Sequence, residues 1–334
     1  MATDNIDFVI TWVDGNDPKW LAEREKFLAG NVGDHRSCRY RNWDNLQYFF
    51  RGVEAFAPWV NRIFFITWGH IPEWLNTQHP KLKIVRHDEF IAKDCLPTFN
   101  SNTIELMINR IEGLSNKFVL FNDDIFLIKP TKSTDFFMQG LPCDSAYLTI
   151  HSIALDKTDV YASLQAIGII NKYFNMKKSI LGNFTKWFNP IYGKQLLKTI
   201  YLLPCPVFPE IRQNHLPCSY LKETFDTLWD KEGELLNETC HNKFRTKVDY
   251  SHWTMRNWQI AAGDFYPRKT SFGKSFVLND DKSFHECLKY IENSKGSVIC
   301  INDEEKTESS FIKHRDAINK RLNTLLPNKS SFEK

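Results

Sequence analysis

The chain has 334 residues, and its 43 basic side chains nearly balance 40 acidic ones, for a formal charge of +3. No overall field therefore draws it to nucleic acid or to an anionic membrane, and any anion site must be local. The amino terminus, MATDNIDFVITW, has acids where a signal peptide needs a basic and then an apolar run. No later segment approaches about 18 uninterrupted apolar residues, and the eight cysteines form no C-x-x-C pair. These features argue against a secreted, membrane-spanning, zinc-ribbon or thioredoxin-type protein. A cytoplasmic protein with reduced thiols is expected, built as one large α/β domain with an insertion or as two smaller lobes.

Ile6–Val13 (IDFVITWV) lacks polar alternation, as a strand covered on both faces of a parallel sheet should. It runs into Asp14-Gly15-Asn16-Asp17-Pro18, a turn that sets carboxylates at the strand's carboxyl end. Lys19–Leu28 follows as a helix and Gly30–Ser37 as a mobile polar loop. From Asp44 onward Leu46, Phe49, Phe50, Val53, Phe56 and Ala57 recur at helical spacing until Pro58 stops the pattern. Arg62–Trp68 and Lys83–Val85 read as further strands, with a helical turn at Ile71–Leu75 between them. Asn102 with Glu105 three residues on resembles a capping box, on a helix whose apolar face is Ile104, Met107, Ile108 and Ile111.

Lys117–Pro130 (KFVLFNDDIFLIKP) sets Asn122-Asp123-Asp124 between two apolar runs. Adjacent carboxylates so flanked are a costly arrangement unless they are paired or bound to a cation. They suit a buried strand delivering acids to a cleft; the local alternative is an Asn-Asp hairpin turn. Strands and helices alternating through residue 130 make a Rossmann-like first half. Residues 131–210 mix aromatic and basic side chains with prolines and read as a mainly helical insertion over the sheet. Residues 211–305 carry Asn214-His215-Leu216-Pro217, a helix from about Ser219 to Asp230, His241–Arg245, and a strand ending at Asn302-Asp303-Glu304. In 306–334, Phe311, Ile318, Leu322 and Leu325 share one face of an amphipathic helix, for docking on its own domain or on a membrane surface.

Three strand ends thus present acids: Asp14 and Asp17, Asp123 and Asp124, and Asp303. Magnesium or manganese prefers carboxylate oxygens plus substrate phosphate, so this is the composition of a metal–diphosphate site. No G-x-G-x-x-G or Walker loop is present, and the phosphates must be held in other ways. Arg41 and Arg245 are candidate phosphate forks. Asn100 and Asn102 lie at a helix amino terminus, where capping and anion contact both draw such residues. His215, in a polar loop, is placed to act as a general base or to bond a phosphoryl oxygen; His70, His79 and His87 read as structural.

Four stretches carry a family resemblance: Ile6–Pro18, Arg41–Pro130 with its strings RNWDNLQYFFRGVEAFAPWVNRIFFITWGHIPEWLN, LPTFNSNTIE and FVLFNDDIF, Asn214–Arg245, and Ile299–Asp303. In that order they resemble the four conserved regions of the Stealth family. That family contains bacterial capsular polysaccharide phosphotransferases and the catalytic subunit of the lysosomal-enzyme N-acetylglucosamine-1-phosphotransferase. The resemblance implies transfer of a sugar 1-phosphate, typically an N-acetylhexosamine 1-phosphate, from a UDP-sugar to a glycan hydroxyl. UMP would leave, with Mg2+ or Mn2+ as cofactor, in capsular or cell-surface polysaccharide synthesis.

Carried over residue by residue, the family's acids fall on Asp14, Asp123, Asp124 and Asp303, its histidine on His215 and its arginine on Arg245. Animal members often have Asn where this chain has Asp14. Catalysis is accordingly expected from Asp124, His215 and Arg245, metal binding from Asp123, Asp124 and Asp303, and donor binding from Asp14, Gly15, Arg41, Asp44, Asn45, Asn100 and Asn102. The expected fold is α/β, a Rossmann-like (glycosyltransferase-A-like), mostly parallel sheet with a helical insertion. Expected partners are a UDP-sugar and a glycan acceptor, with peripheral contact to the inner membrane face or to other polysaccharide-synthesis proteins. Two other readings stay open: a metal-dependent glycosyltransferase releasing UDP, and a silent glycan-binding module using Trp12, Trp43, Trp68 and Trp74 as platforms.

Overall fold

The structure is a computed structural model describing residues 5–29, 33, 34, 36, 39–151, 158–305 and 307–334. Most of the loop expected at Gly30–Ser37 lies outside the described residues. Along the chain the strands are β1 (Ile6–Thr11), β2 (Ile63–Thr67), β3 (Leu82–Arg86), β4 (Lys117–Asn122), β5 (Ile125–Leu127), β6 (Phe137–Met138), β7 (Leu141–Asp144), β8 (Cys218–Leu221), β9 (Tyr266–Pro267), β10 (Gly273–Leu278) and β11 (Val298–Asp303). The main sheet has the order β3-β2-β1-β4-β8; its first four strands are parallel, and β8 closes the edge antiparallel to β4. The fold is α/β, Rossmann-like and mostly parallel.

The chain leaves β1 towards β2 and β3, then crosses back to put β4 on the other side of β1. That reversal opens a crevice beyond the carboxyl ends of β1 and β4, where ligands of open α/β sheets bind. The register sets Ile10 beside Phe121 and Thr11 beside Asn122, so Trp12 and Asp123 leave the sheet level with each other. Aromatic packing holds this pair of strands. The Phe8 and Phe121 rings lie 4.7 Å apart, and Phe49, from the helix Leu46–Phe56, is 5.3 Å from Phe121. All three are fully buried, and truncating one to alanine costs about 3–5 kcal/mol.

A second sheet, β10-β11-β5, stands beside the first. β11 runs parallel to β10 and antiparallel to β5, so its carboxyl end delivers Asn302 and Asp303 to the same crevice. Asp123-Asp124 is a turn, but not a hairpin turn: β4 belongs to one sheet and β5 to the other. The Asp124 carbonyl accepts the Ile301 N–H at 2.9 Å and ties the turn to β11.

Within 131–210, β6 and β7 come first, and the described helices span Thr158–Tyr173 to Leu196–Leu202. Their apolar faces gather around Trp187, Tyr192 and Phe208, and pack chiefly on Ile260 and Ala261 of the helix Trp253–Ala262 rather than over the main sheet. A buried bidentate ion pair fastens this region: Arg256 Nε and Nη2 donate to Asp144 Oδ2 and Oδ1 at 2.7 and 2.8 Å. Arg256 Nη2 also donates to the Arg212 carbonyl at 3.0 Å, anchoring the loop that leads to His215.

The helix Glu308–Leu325 buries Phe311, His314, Ile318 and Leu322 against its own domain, and Arg51 grips Glu333 behind it through two bonds of 2.8 Å. Among the described residues no helix is long and apolar enough to cross a membrane.

Several local expectations are corrected. Ile71–Leu75 is a turn that ends in an isolated bridge from Leu75 to Glu333. Residues 219–221, expected as a helix start, belong to β8, because β4 offers them a ladder; the helix is Lys222–His241. Asn100, not Asn102, caps Ser101–Leu106, accepting the Asn102 N–H at 3.0 Å. Asp17 is a helix cap as well, its Oδ1 accepting the Lys19 and Trp20 N–H groups at 2.8 Å each.

Candidate functional site

The crevice at the strand ends is a cleft lined by Trp12, Arg41, Trp43, Asn45, Asn122, Asp123, Asp124, His215, Arg245, Asn302 and Asp303. Two side chambers open from it, both sharing Asn122, Arg39 and Arg245 with the cleft. One is aromatic, walled by Trp12, Trp20, Tyr40 and Phe99. The other is polar, walled by Glu105, His151, Glu210, Gln213, Ser251, His252 and Trp253.

Asp124 sits at the centre of the cleft. Its Oδ2 accepts the Cys300 S–H at 3.3 Å and lies 3.9 Å from His215 Nε2; its buried Oδ1 has no hydrogen-bond partner among the described residues. Burial, then the Asp124 charge, pushes the Cys300 thiol well above its usual range, so it stays a donor to the carboxylate. Loss of water in the crowded cleft, and secondly the Asp124 carboxylate, raise the Asp123 carboxyl, although its side chain still meets cleft water, which tempers the rise.

Asp303 Oδ2 faces Arg41 Nη1 at 3.3 Å, and Oδ1 accepts the Glu305 N–H at 2.8 Å. Burial raises the Asp303 carboxyl against the pull of these two donors. The carboxyl-terminal helix braces this rim, with Phe311 beneath the Arg41 guanidinium at 4.5 Å and Asn319 donating to the Trp43 carbonyl at 2.8 Å. The cleft offers carboxylate oxygens, of which Asp124 Oδ1 is buried and has no hydrogen-bond partner among the described residues, while Asp303 Oδ2 is paired with Arg41. Carboxylate oxygens are the ligands a hard divalent cation prefers, although the ligand atoms that lie within 4.8 Å of one another in the cleft are those of Asp124, His215 and Cys300. The neutral Cys300 thiol does not belong to the carboxylate set.

His215 has a positive φ of 45°, a backbone conformation few non-glycine residues adopt, between the Arg212 carbonyl held by Arg256 and Pro217. Its imidazole is half-buried, 3.5 Å from the Asn302 amide through Nδ1, and reaches both the cleft and the polar chamber. Arg245 lies where all three spaces meet, its Nη2 bonded to Ser101 Oγ. The loop that carries it is knotted around Asp249, a fully buried carboxylate. Asp249 accepts from Asn100 Nδ2 at 2.7 Å, Asn102 Nδ2 at 3.3 Å, Asn242 Nδ2 at 2.8 Å and the Thr246 N–H at 3.0 Å.

The structure therefore gathers Arg41, Asn45, Asp123, Asp124, His215, Arg245 and Asp303 in one cleft and sets the other expected donor residues apart. Asn100 lies in the Asp249 knot, and Asn102 shares that knot while lining the polar chamber. Gly15 lets the Tyr40 backbone approach: a Cβ there would meet the Tyr40 carbonyl oxygen at 1.8 Å. Asp14 is half-buried, its N–H donating to His70 Nε2 at 2.8 Å and its Oδ1 accepting the Asn16 N–H at 3.0 Å. Asp44 is exposed and pairs with Arg315 at 3.3 Å.

Glu105 was missed by sequence reasoning as a site residue. It is buried against the polar chamber, its Oε1 accepting from Asn122 Nδ2 at 3.1 Å and its Oε2 3.7 Å from His252 Nε2. Burial pushes its carboxyl up to about 7 and the His252 imidazole down to about 3, so the two favour neutral forms. Of the four tryptophans considered as platforms, Trp12 and Trp43 line the cleft, while Trp74 packs against the core.

The fold is α/β, with a polar cleft at the carboxyl ends of its parallel strands. Residues 4–32 match Stealth protein conserved region 1, and residues 39–143 match conserved region 2. The capsular polysaccharide phosphotransferase WcwK of Streptococcus pneumoniae is 42% identical over 334 residues, covering 99% of this chain and 98% of its own. The exopolysaccharide phosphotransferase cps2G of Lactiplantibacillus plantarum is 35% identical over 332 residues, 99% of this chain and 96% of its own. A solved galactosyltransferase, LgtC, aligns over 97% of this chain and 96% of its own at 10% identity, with a TM-score of 0.42. The chain belongs to the Stealth family.

Proposed function

We propose that the protein is a sugar-1-phosphate transferase of capsular or cell-surface polysaccharide synthesis, taking a hexose or N-acetylhexosamine 1-phosphate from a UDP-sugar and joining it to a glycan hydroxyl. The observation that carries this reading is the convergence of Asp123, Asp124 and Asp303 with Arg41, Arg245 and His215 in one cleft at the sheet's switch point. The phosphotransferase names of full-length relatives support it. Asp123, Asp124 and Asp303 would hold a divalent cation, which when bound supplies positive charge to the diphosphate.

The acceptor oxygen attacks the β-phosphorus of the donor, the bond from that phosphorus to the bridging oxygen breaks, and UMP leaves with the bridging oxygen. A phosphodiester between sugar and glycan remains. Such transfers depend mostly on positioning and charge neutralisation, which the chain's own groups provide. Arg245 and Arg41 bind phosphoryl oxygens, and the aromatic chamber beside them takes the uracil ring. His215, facing both the cleft and the polar chamber, accepts the acceptor hydroxyl proton, and Asp124 at 3.9 Å stabilises the imidazolium that results.

The test is a product assay with purified protein, Mg2+, UDP-N-acetylglucosamine or its epimers and a short capsule-like primer. UMP with a lengthened, phosphorus-containing primer is the expected result. UDP would mean attack at the anomeric carbon and would overturn the proposal in favour of glycosyl transfer.

A further inference from the structure

Beside the cleft, the polar chamber encloses about 400 Å3, within the usual range of small-ligand sites, and opens into the cleft past Asn122, His215, Arg245 and Asn302. Its wall holds buried polar atoms that have no hydrogen-bond partner among the described residues. Glu210 is 1% exposed; its Oε2 is paired with the His151 imidazole, and its Oε1 has no hydrogen-bond partner among the described residues. Gln213 spends its carbonyl on Ser163 Oγ at 2.8 Å, which leaves its amide Nε2 buried and unpaired. Ser251 Oγ is unpaired too. Each such group costs about 1–3 kcal/mol unless a complementary partner arrives.

An acceptor oxygen, an amide donor and a hydroxyl match the hydroxyl groups of a sugar ring, each of which both donates and accepts. Trp253 adds a flat apolar wall at the mouth, its ring 6.4 Å from that of His215. Arg39, Arg212 and Arg245 line the chamber together with Glu210, so its wall carries both signs of charge. We infer that the polar chamber binds the terminal residue of the acceptor glycan, a pyranose whose hydroxyls meet Glu210 Oε1, Gln213 Nε2 and Ser251 Oγ and whose reacting hydroxyl points out towards His215. The word acceptor rests on the transfer reading above; the sugar site itself does not.

Saturation-transfer NMR with methyl β-galactopyranoside and methyl β-glucopyranoside tests this on the full chain, with UMP affinity measured by calorimetry on the same samples. Ring protons of at least one neutral glycoside should receive saturation. Glu210→Gln should weaken the neutral glycoside about tenfold or more, the order expected for a hydrogen bond to a charged group. Gln213→Ala, which leaves Glu210 in place, should weaken it in the same direction. UMP affinity and melting temperature should hold in both variants. No saturation of any neutral glycoside, undiminished binding in both variants, or a loss of UMP affinity in step with the glycoside would overturn the inference. If the enzyme released UDP instead of UMP, the transfer reading would fall and the NMR result would still decide the sugar site.

Discussion

Asp124, Cys300 and His215 bring a carboxylate, a thiol and an imidazole within 4.8 Å of one another, and so do Asp94, Cys95 and His241. In the second group Asp94 and His241 are exposed, with Cys95 buried beneath them. His241 ends the helix Lys222–His241, its Nδ1 2.8 Å from the Asn237 carbonyl one turn back and its Nε2 3.3 Å from an exposed Asp94. Water screens such a pair, and a histidine at a helix carboxyl end is favourable for the dipole alone. The first group has the opposite setting. It lies where the carboxyl ends of β4 and β11 meet, Asp124 Oδ1 is buried and unbonded, and Arg41, Arg245 and Asp303 share its cleft. The same three residue types sit at a helix end in one place and line the candidate cleft in the other, and what separates them is which strand ends converge there.

The two groups can be pulled apart by experiment. Asp124→Asn should lower turnover at least ~10²-fold with melting temperature held, the order of a lost general acid–base or charge contribution, whereas Asp94→Asn should stay within about twofold. Comparable losses in both, measured by nucleotide release, would erase the distinction. A chelator should abolish activity, and Mg2+ or Mn2+ should restore it equally in wild type and in His241→Ala; a metal requirement that changes in that variant would move the cation site to the surface group. Removing the thiol donor from Asp124 should matter less. Cys300→Val should reduce turnover roughly fivefold, as for one hydrogen bond of about 1 kcal/mol, and Cys95→Val should leave it unchanged.

A separate effect is on stability rather than turnover. The Glu105 carboxyl, raised by burial from 4.5 to about 7, binds its proton more tightly in the folded chain, so its favourable contribution is complete below about 4.5 and is lost as pH rises through 7. Glu105→Gln should therefore be more stable than wild type at pH 8, by on the order of 2 kcal/mol, and no more stable at pH 4. Denaturant melts at the two pH values measure this; an equal gain at both would show that the effect is not one of ionisation.

Much of the cleft was legible in the chain itself. Apolar runs ending in Asp123-Asp124 and in Asn302-Asp303 announce buried strands with acids at their ends, and the structure brings both ends together. His215 stands out in the sequence as a candidate base or phosphoryl contact and Arg41 and Arg245 as candidate phosphate forks, and the resemblance to the Stealth family falls on His215 and Arg245 as well. Partnerships across long stretches of chain were not legible. Asn100 and Asn102 look like caps or ligand contacts because their partner, Asp249, lies 149 and 147 residues away. Glu105 looks like a capping-box acid because local spacing cannot show that its carboxylate faces a chamber. Residues 219–221 read as a helix start because their ladder partner, β4, is a hundred residues earlier in the chain. The polar chamber drew no attention for the same reason: His151, Glu210, Gln213 and Ser251 belong to no common period and meet only in the fold.

The central claim is that the β-phosphorus travels with the sugar. UDP-N-acetylglucosamine, or the epimer the enzyme accepts, labelled at that phosphorus and incubated with primer and Mg2+, tests it most directly. The account predicts label in the lengthened glycan, unlabelled UMP in solution, and neither product from Asp124→Asn. Label recovered in free UDP, with an unlabelled extended glycan, would contradict it.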